Sequence, residues 1–331
     1  MTVPPVTSSI PQGGSTPGTA GDASLHADGG DAFAGVESAA AALGTAKPQG
    51  QLRDIGRRFL RNRLAVFGLV LIGLLFLTAI FAPLLAPYDP YQQNLLGTGV
   101  DATQAGPSAK HWFGVDLVGR DQLSRVIYGS RIAVVVGLVS IIMAVFIGVL
   151  LGALAGYFGR SWDTVIMRTA DVFFAFPLLI GAILILTVVG QGVLPVILAL
   201  AIFSWATIAR LLRSSILSIR EAEYVEAARS LGASRWRIVT RHILPNSLAP
   251  VLVFATFNVG TAVVAEAALS FLGVGVKPDV PEWGNMIAVG RGFVGFKDFL
   301  WFFPSMAVVF TVLGFIFAGD GLRDALDPKL R

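Results

Sequence analysis

An all-α membrane protein with six spanning helices is the fold class this sequence predicts, and three observations predict it. The 331-residue chain is 54% hydrophobic and only 14% charged, with a mean hydropathy of +0.72; a soluble domain of this length carries more charge. Its apolar residues lie in runs long enough to cross a bilayer, whose hydrocarbon core of about 30 Å takes ~20 helical residues. Its lysines and arginines divide unequally between alternate loops, the asymmetry that orients membrane helices.

Taken in order, residues 1–50 are rich in Gly, Ala, Ser, Thr and Pro without apolar periodicity, which predicts a disordered cytoplasmic tail. They lack the basic start and apolar core of a secretory signal. Residues 51–63 form a basic juxtamembrane segment with Ile55, Phe59 and Leu60 on one helical face. It reads as a topology signal lying on anionic lipid, with a regulatory contact to an ATPase as the rival reading. The charge-free runs are Leu64–Tyr88, Ile132–Gly159, Val172–Ala209, Ile243–Ala265 and Phe299–Gly319. The third run would reach about 57 Å as one helix, too long for a single crossing, and the segment Gly190-Gln-Gly-Val-Leu-Pro195 breaks it. The predicted spans are therefore about 64–86, 132–157, 166–189, 194–213, 246–270 and 299–319. Residues 64–331 form one six-helix domain with an outer loop 87–131, a cytoplasmic loop 214–245 and an outer loop 271–298.

With the N terminus inside, one face receives 17 Lys and Arg residues and the other 7, so both termini and the 214–245 loop are expected in the cytoplasm. The net charge of +4 reports this asymmetry and does not point to nucleic acid. The chain has no cysteine and only three scattered histidines, His26, His111 and His242, which excludes disulfides, thiolate metal sites and a histidine metal cluster.

The 214–245 loop is the most informative stretch. It is polar and basic between two apolar runs, and it reads as a helix over about 221–231, a break at Gly232, and a second helix running into Pro245. Tyr224, Ala227, Ala228 and Leu231 fall on one helical face, and the small pair 227/228 lets that helix sink into a groove. Gly232 is expected at positive φ, and Ser234 as the cap of the second helix. Glu226, Arg229, Arg235 and Arg237 surround the patch. A helix–turn–helix on one face of a membrane protein is a docking surface for a soluble partner; an interfacial helix lying on lipid is the alternative.

In the outer loop, Asp121 is a candidate cap for a short helix whose Leu123, Val126 and Ile127 face the membrane or a neighbour, and Asp116, Arg120, Asp121 and Arg125 are candidates for local pairing. The loop reads either as a scaffold at the bilayer surface or as a platform for an external protein. Within the spans, Asn258 and Glu266 are candidates to line a path or to bond neighbouring helices. Asp171 is expected to pair with Arg168 one turn away, and Pro177 and Pro304 to kink the third and sixth spans. No Gly-Lys dipeptide occurs, hence no P-loop, and neither His-Glu-x-x-His nor Gly-x-Ser-x-Gly is present. An active transporter built on this chain takes its energy from another subunit.

Four motifs then carry a resemblance. They are His111-Trp-Phe-Gly-Val-Asp-Leu-Val-Gly-Arg-Asp121, the Glu226-Ala-Ala…Gly232…Leu-Pro245 loop, Glu266-Ala-Ala-Leu-Ser-Phe-Leu-Gly273 with Pro281-Glu-Trp-Gly-Asn-Met-Ile287, and Gly319-Asp-Gly-Leu-Arg-Asp-Ala-Leu-Asp-Pro328. From about residue 51 to 331 the chain resembles the C-type permease subunits of the dipeptide/oligopeptide/nickel ABC importers; the first fifty residues lie outside the resemblance. The resemblance implies a type I importer permease fold in the bacterial inner membrane. It also implies a heterodimer with a B-type permease, two ATPase subunits that bind ATP and Mg, and an extracytoplasmic peptide-binding protein. This chain would bind no cofactor and catalyse no reaction. ATPase contact is implied at Glu226, Ala227, Ala228 and Gly232, with Tyr224 and Leu231 on the same face. The expected function is ATP-driven peptide uptake, with nickel chelates or another small ligand as the alternative cargo. A secondary transporter needs no ATPase and carries buried charges along several helices, whereas most spans here are nearly charge-free. An intramembrane enzyme needs a paired nucleophile and base, and none is evident.

Overall fold

The computed structural model describes residues 51–95 and 106–326; the tail expected over 1–50 and the last residues of the C-terminal motif lie outside them. The helices are α1 (Gln51–Arg61), α2 (Arg63–Ile80), α3 (Ala82–Leu85), α4 (Gln122–Phe158), α5 (Arg160–Ala175), α6 (Leu178–Val189), α7 (Val193–Ile219), α8 (Glu223–Ser230), α9 (Arg235–Ile238), α10 (Leu244–Phe271), α11 (Trp283–Gly290) and α12 (Phe299–Leu326). No strand occurs among the described residues beyond an isolated bridge between Val115 and Asp121. Five helices are long and apolar enough to cross a membrane: α2, α4, α7, the rod 235–271 and α12. The pair α5/α6 makes a sixth crossing if its two bent halves are taken together.

Four spans outrun their charge-free stretches. Helix α4 begins ten residues before its apolar run, and two arginines inside it reach carbonyls of the preceding segment. Arg131 Nε donates to Ala79 O at 2.7 Å and its Nη2 to Ile80 O at 3.3 Å, serving carbonyls that the end of α2 leaves unbonded. Arg125 Nη1 donates to Pro90 O at 3.2 Å. Asp121 is a helix cap, accepting from Ser124 N at 2.8 Å, but the helix it begins is the whole of α4 and not the short surface helix expected. The first span ends early, at Ile80, where the chain turns into α3 with proline in its first turn. Helices α7 and α12 continue to 219 and 326. At the start of α2, Asn62 accepts from Leu64 N and Ala65 N, and its amide donates to Asp324 at 3.2 Å. This contact closes α2 onto the charged end of α12.

The third span is the main departure from the predicted layout. Proline bars the preceding residue from helical geometry, and Phe176 and Pro177 are both extended (ψ 127° and 133°). The expected kink is an 89° bend that separates α5 from α6. Proline also reshapes the fifth span. Pro245 cannot donate to Arg241 O, so the turn ahead of it widens into a π-helix over Val239–Ile243, with Leu244 N bonded to Val239 O. The second loop helix and the fifth span thereby become one rod from 235 to 271.

Packing relies on small residues, as it must where lipid gives apolar side chains no preference for one another. Helix α4 lies against α7 along Gly148, Gly152 and Gly156; a Cβ at Gly152 would stand 2.6 Å from Ala209 O. The largest apolar core joins α4, α6, α7, α10 and α11 through Val136, Leu186, Leu200, Val263 and Leu269. A second core gathers Leu212, Ile216, Val225, Ile238 and Ile243, where α7 and α10 meet the 220–243 loop.

Candidate functional site

The loop predicted as a docking surface folds as two helices on a buried anchor. Helix α8 ends in a Schellman arrangement: Ala233 N bonds to Ala228 O at 3.1 Å and Gly232 N to Arg229 O at 3.0 Å. Gly232 takes φ +79°, the left-handed geometry this cap demands. Ser234 then caps α9 by accepting from Arg237 N at 3.4 Å. Val225 and Ile238 face inward, fully or almost fully buried, and pack on Ile216, Leu212 and Ile243.

The opposite face is open. Leu231 is 88% exposed and Trp236 76%, beside the exposed Tyr224, Glu226 and Ala227. Ala228 is half-buried against the core side. Arg229, Arg235, Arg237 and Arg241 are exposed around this apolar patch. Of the residues the sequence singled out, Tyr224, Glu226, Ala227, Leu231 and Gly232 are exposed, and two further positions shape this face. Trp236 joins the exposed patch, and Val225 is the anchor; its place one residue off the small-residue face is the signal that would have found it. Asn246 Nδ2 donates to His242 O at 2.7 Å and lies 3.5 Å from the Tyr224 hydroxyl. Tyr157 OH donates to Arg235 O at 3.4 Å. These contacts link Tyr224 of α8 to α10, and Arg235 of α9 to α4.

Near the same ends of the helices, α5 is pinned to α7 by ion pairs. Arg213 grips Asp163 with both Nε and Nη2, the latter at 2.6 Å from Oδ2. Arg210 Nη2 lies 2.6 Å from Asp171 and its guanidinium stands 4.2 Å over the Phe174 ring. Asp171 therefore bonds chiefly across to α7, with Arg168 more distant at 3.9 Å. Residues far apart in sequence supply these partners, which local spacing could not indicate.

The two polar positions singled out within the fifth span have different surroundings. Asn258 is half-buried and its amide donates back to Phe254 O at 2.9 Å. Glu266 does not face an open path within this chain. It is 2% exposed and accepts from Ser270 Oγ at 3.1 Å, beneath the outer loop.

That outer loop is a folded cap. Glu282 begins α11 by accepting from Gly284 N and Asn285 N, and Asn285 Nδ2 donates to Val276 O at 3.0 Å. Trp283 Nε1 donates to Val126 O at 2.9 Å, joining the cap to α4. Burial pushes the Glu282 carboxyl above its ordinary range, against the opposing pull of its two backbone donors. Gln191 Nε2 donates to Gly273 O at 2.6 Å, which ties the α6–α7 turn to the same cap. In the first outer loop Asp116 pairs with Arg120 at 2.6 Å and lies 3.7 Å from Arg125, while His111 Nδ1 lies 2.9 Å from Asp121.

Residues 148–331 match the family model described as the binding-protein-dependent transport system inner membrane component. This chain belongs to that family. Residues 50–100 also match the N-terminal transmembrane domain of oligopeptide transport permease C, which makes it a C-type permease. Among curated relatives, the glutathione transport system permease protein GsiD of Pectobacterium atrosepticum is 43% identical over 279 residues, covering 84% of this chain and 91% of the relative. The dipeptide transport system permease protein DppC of Alkalihalophilus pseudofirmus is 42% identical, covering 84% and 90%. A chain solved in inward-facing conformations of the MetNI methionine ABC transporter aligns with TM-score 0.50 at 21% identity, over 61% of this chain and 97% of its own length; this likeness shows the shared fold. The permease is thus a multi-pass, non-catalytic inner-membrane component of an ABC importer, working with ATPase and binding-protein partners.

Proposed function

We propose that this permease forms half of the translocation path of an ATP-driven peptide importer. The glutathione and dipeptide names of its relatives support that substrate class. Its membrane partner is a B-type permease, and a peptide-binding protein delivers cargo to the outer face. ATP and Mg are held by two partner ATPases, and both termini of this chain lie in the cytoplasm with the 214–245 loop.

The observation that carries the coupling role is the open patch of Tyr224, Leu231 and Trp236, spread over α8, the turn after it and α9, with α8 seated by one buried valine. Exposed apolar side chains bracketed by charges of both signs, Glu223 and Glu226 on one side and Arg229, Arg235 and Arg237 on the other, suit a protein groove that can match the pattern. Nucleotide-driven movement of the ATPases then shifts α8, and the rod 235–271 transmits the shift to the path. Mechanically this is a two-state equilibrium biased by nucleotide on one face and by loaded binding protein on the other. Asn258 is the residue assigned to the path; Glu266 is assigned to the outer cap. Uptake of a labelled peptide mixture with and without this gene, with ATP depletion as control, tests the reading. Loss of ATP-dependent peptide uptake is expected on deletion, and unchanged peptide uptake overturns the peptide assignment.

A further inference from the structure

Residues 51–63 carry five arginines, Arg53, Arg57, Arg58, Arg61 and Arg63, against a single acidic residue, Asp54. All but Arg58 are exposed. Arg53, Arg57 and Arg61 follow at i, i+4 spacing and form a stripe along α1. The face expected to carry Ile55, Phe59 and Leu60 together is divided in the structure. Ile55 and Phe59 are half-buried, whereas Leu60 is 62% exposed. Phe59 packs onto α12: its Cε2 lies 3.2 Å from where a Cβ at Gly321 would stand, the glycine that Ala65 of α2 also meets. Asn62, the cap of α2, holds Asp324 of the same helix. Helix α1 is therefore seated on the protein by its aromatic side, and the arginine stripe is what it leaves outward.

Among the described residues none of these five arginines enters an ion pair. The carboxylates at the end of α12, Asp320 and Asp324, line with Arg323 a separate hollow beside Asn62 and Leu64. Position decides what meets the stripe instead. Arg63 opens α2 and the charge-free run starts at Leu64, so α1 joins the chain at the edge of the hydrocarbon. Arg53 lies eight residues before Arg61, about 12 Å along a helix. The headgroup layer is about 5–7 Å deep on each side of a bilayer, and the field of a charged surface reaches about 8 Å further at physiological salt. The stripe is thus no longer than the depth over which anionic headgroups act. A guanidinium matches a phosphate with two parallel hydrogen bonds. An interfacial helix that binds by its apolar face buries that face among acyl chains, whereas here Phe59 is used against α12, which leaves charge as the means of attachment.

We propose that α1 is a binding site for anionic phospholipid, in which Arg53, Arg57 and Arg61 hold headgroup phosphates and Phe59 keeps the helix on α12. Anionic lipid is thereby concentrated at the joint between the start of α2 and the end of α12. A zwitterionic headgroup also has a phosphate, but its own cation cancels the charge, so the site selects by net headgroup charge. Attachment of this kind weakens with salt. The site does not depend on which cargo the importer carries.

The absence of native cysteine makes the test direct. A donor fluorophore is attached to the full-length chain through Gly56→Cys, an exposed position with open space around it. A second preparation carries it through Val294→Cys, exposed before the start of α12. Both are placed in nanodiscs of phosphatidylcholine with a minor share of phosphatidylglycerol. Quenching by phosphatidylglycerol with an acceptor on its acyl chain is compared with quenching by phosphatidylcholine labelled in the same way. At position 56 the ratio is expected to exceed unity several-fold, and at position 294 to stay near unity. It is expected to fall to unity at high salt and in the triple variant Arg53→Gln, Arg57→Gln, Arg61→Gln. The triple lysine variant, which keeps the charge, is expected to retain most of the enrichment, and this separates loss of charge from loss of the helix. A ratio of unity at position 56 in the arginine-bearing chain overturns the proposal and leaves the stripe to an acidic protein surface. An equal ratio at both positions, an undiminished ratio in the glutamine variant, or its loss in the lysine variant overturns it as well.

Discussion

Val225→Ala separates the seat of the docking helix from its contact face. Val225 is fully buried, the single buried residue in α8. Alanine removes two carbon groups at about 0.8 kcal/mol each, and the cavity left between Ile216 and Ile238 raises the cost to about 2 kcal/mol. Because the helix has eight residues, too few to persist alone, that cost falls on its local opening. A roughly 30-fold increase in the opened population follows. Amide hydrogen exchange of residues 223–230 in the full-length chain reads it directly, with the spans as internal reference. The control is Leu231→Ala: that side chain is 88% exposed, so exchange in α8 is expected to be unchanged while retention of the ATPase during purification falls. Unchanged exchange in V225A would refute the anchor argument, and full ATPase retention in L231A would refute the contact face.

Other substitutions test other joints of the fold. Gly232→Ala forces a side chain into left-handed geometry at φ +79° and is expected to cost about 1–2 kcal/mol; Gly232→Pro, which cannot adopt that φ, and Glu226→Lys are both expected to uncouple ATP hydrolysis from uptake without loss of membrane insertion, measured side by side in vesicles. Gly284→Ala sets a Cβ 2.1 Å from Ala267 O, and limited proteolysis is expected to open the 274–290 region while the spans stay protected. Arg213→Ala leaves Asp163 without its two-pronged partner; because both side chains are partly exposed, the expected loss is about 1 kcal/mol, seen as a lower melting temperature at low salt and a smaller difference at high salt.

Membrane class, helix count and most turning points were legible in the sequence, because the bilayer imposes a length and a composition on anything that crosses it. The loop helix, the positive φ at Gly232 and the caps at Asp121 and Ser234 were legible for a similar reason: each is decided by neighbours within a few residues. Helix ends were less legible. Charge-free runs mark the apolar part of a span, whereas α4 extends well past it with Arg125 and Arg131 donating to carbonyls of the preceding segment, and the rod 235–271 begins with arginines that are exposed. The depth of the bend at Pro177 was not legible either: a proline announces a break, but the angle is set by what each half packs against.

At the sites the division is sharper. Pattern and spacing alone pointed to the exposed face of the 214–245 loop, since exposure of an apolar residue in a polar loop is a local property. Which residue anchors that face, which arginine holds Asp171, and why Glu266 is buried were decided by tertiary structure. Each depends on a partner outside its own helix: Val225 on Ile216 and Ile238, Asp171 on Arg210, and Glu266 on the outer cap, whose Gly284 packs against Ala267 O. A sequence states what a side chain is able to bond; the fold alone determines what stands opposite it once water has been excluded.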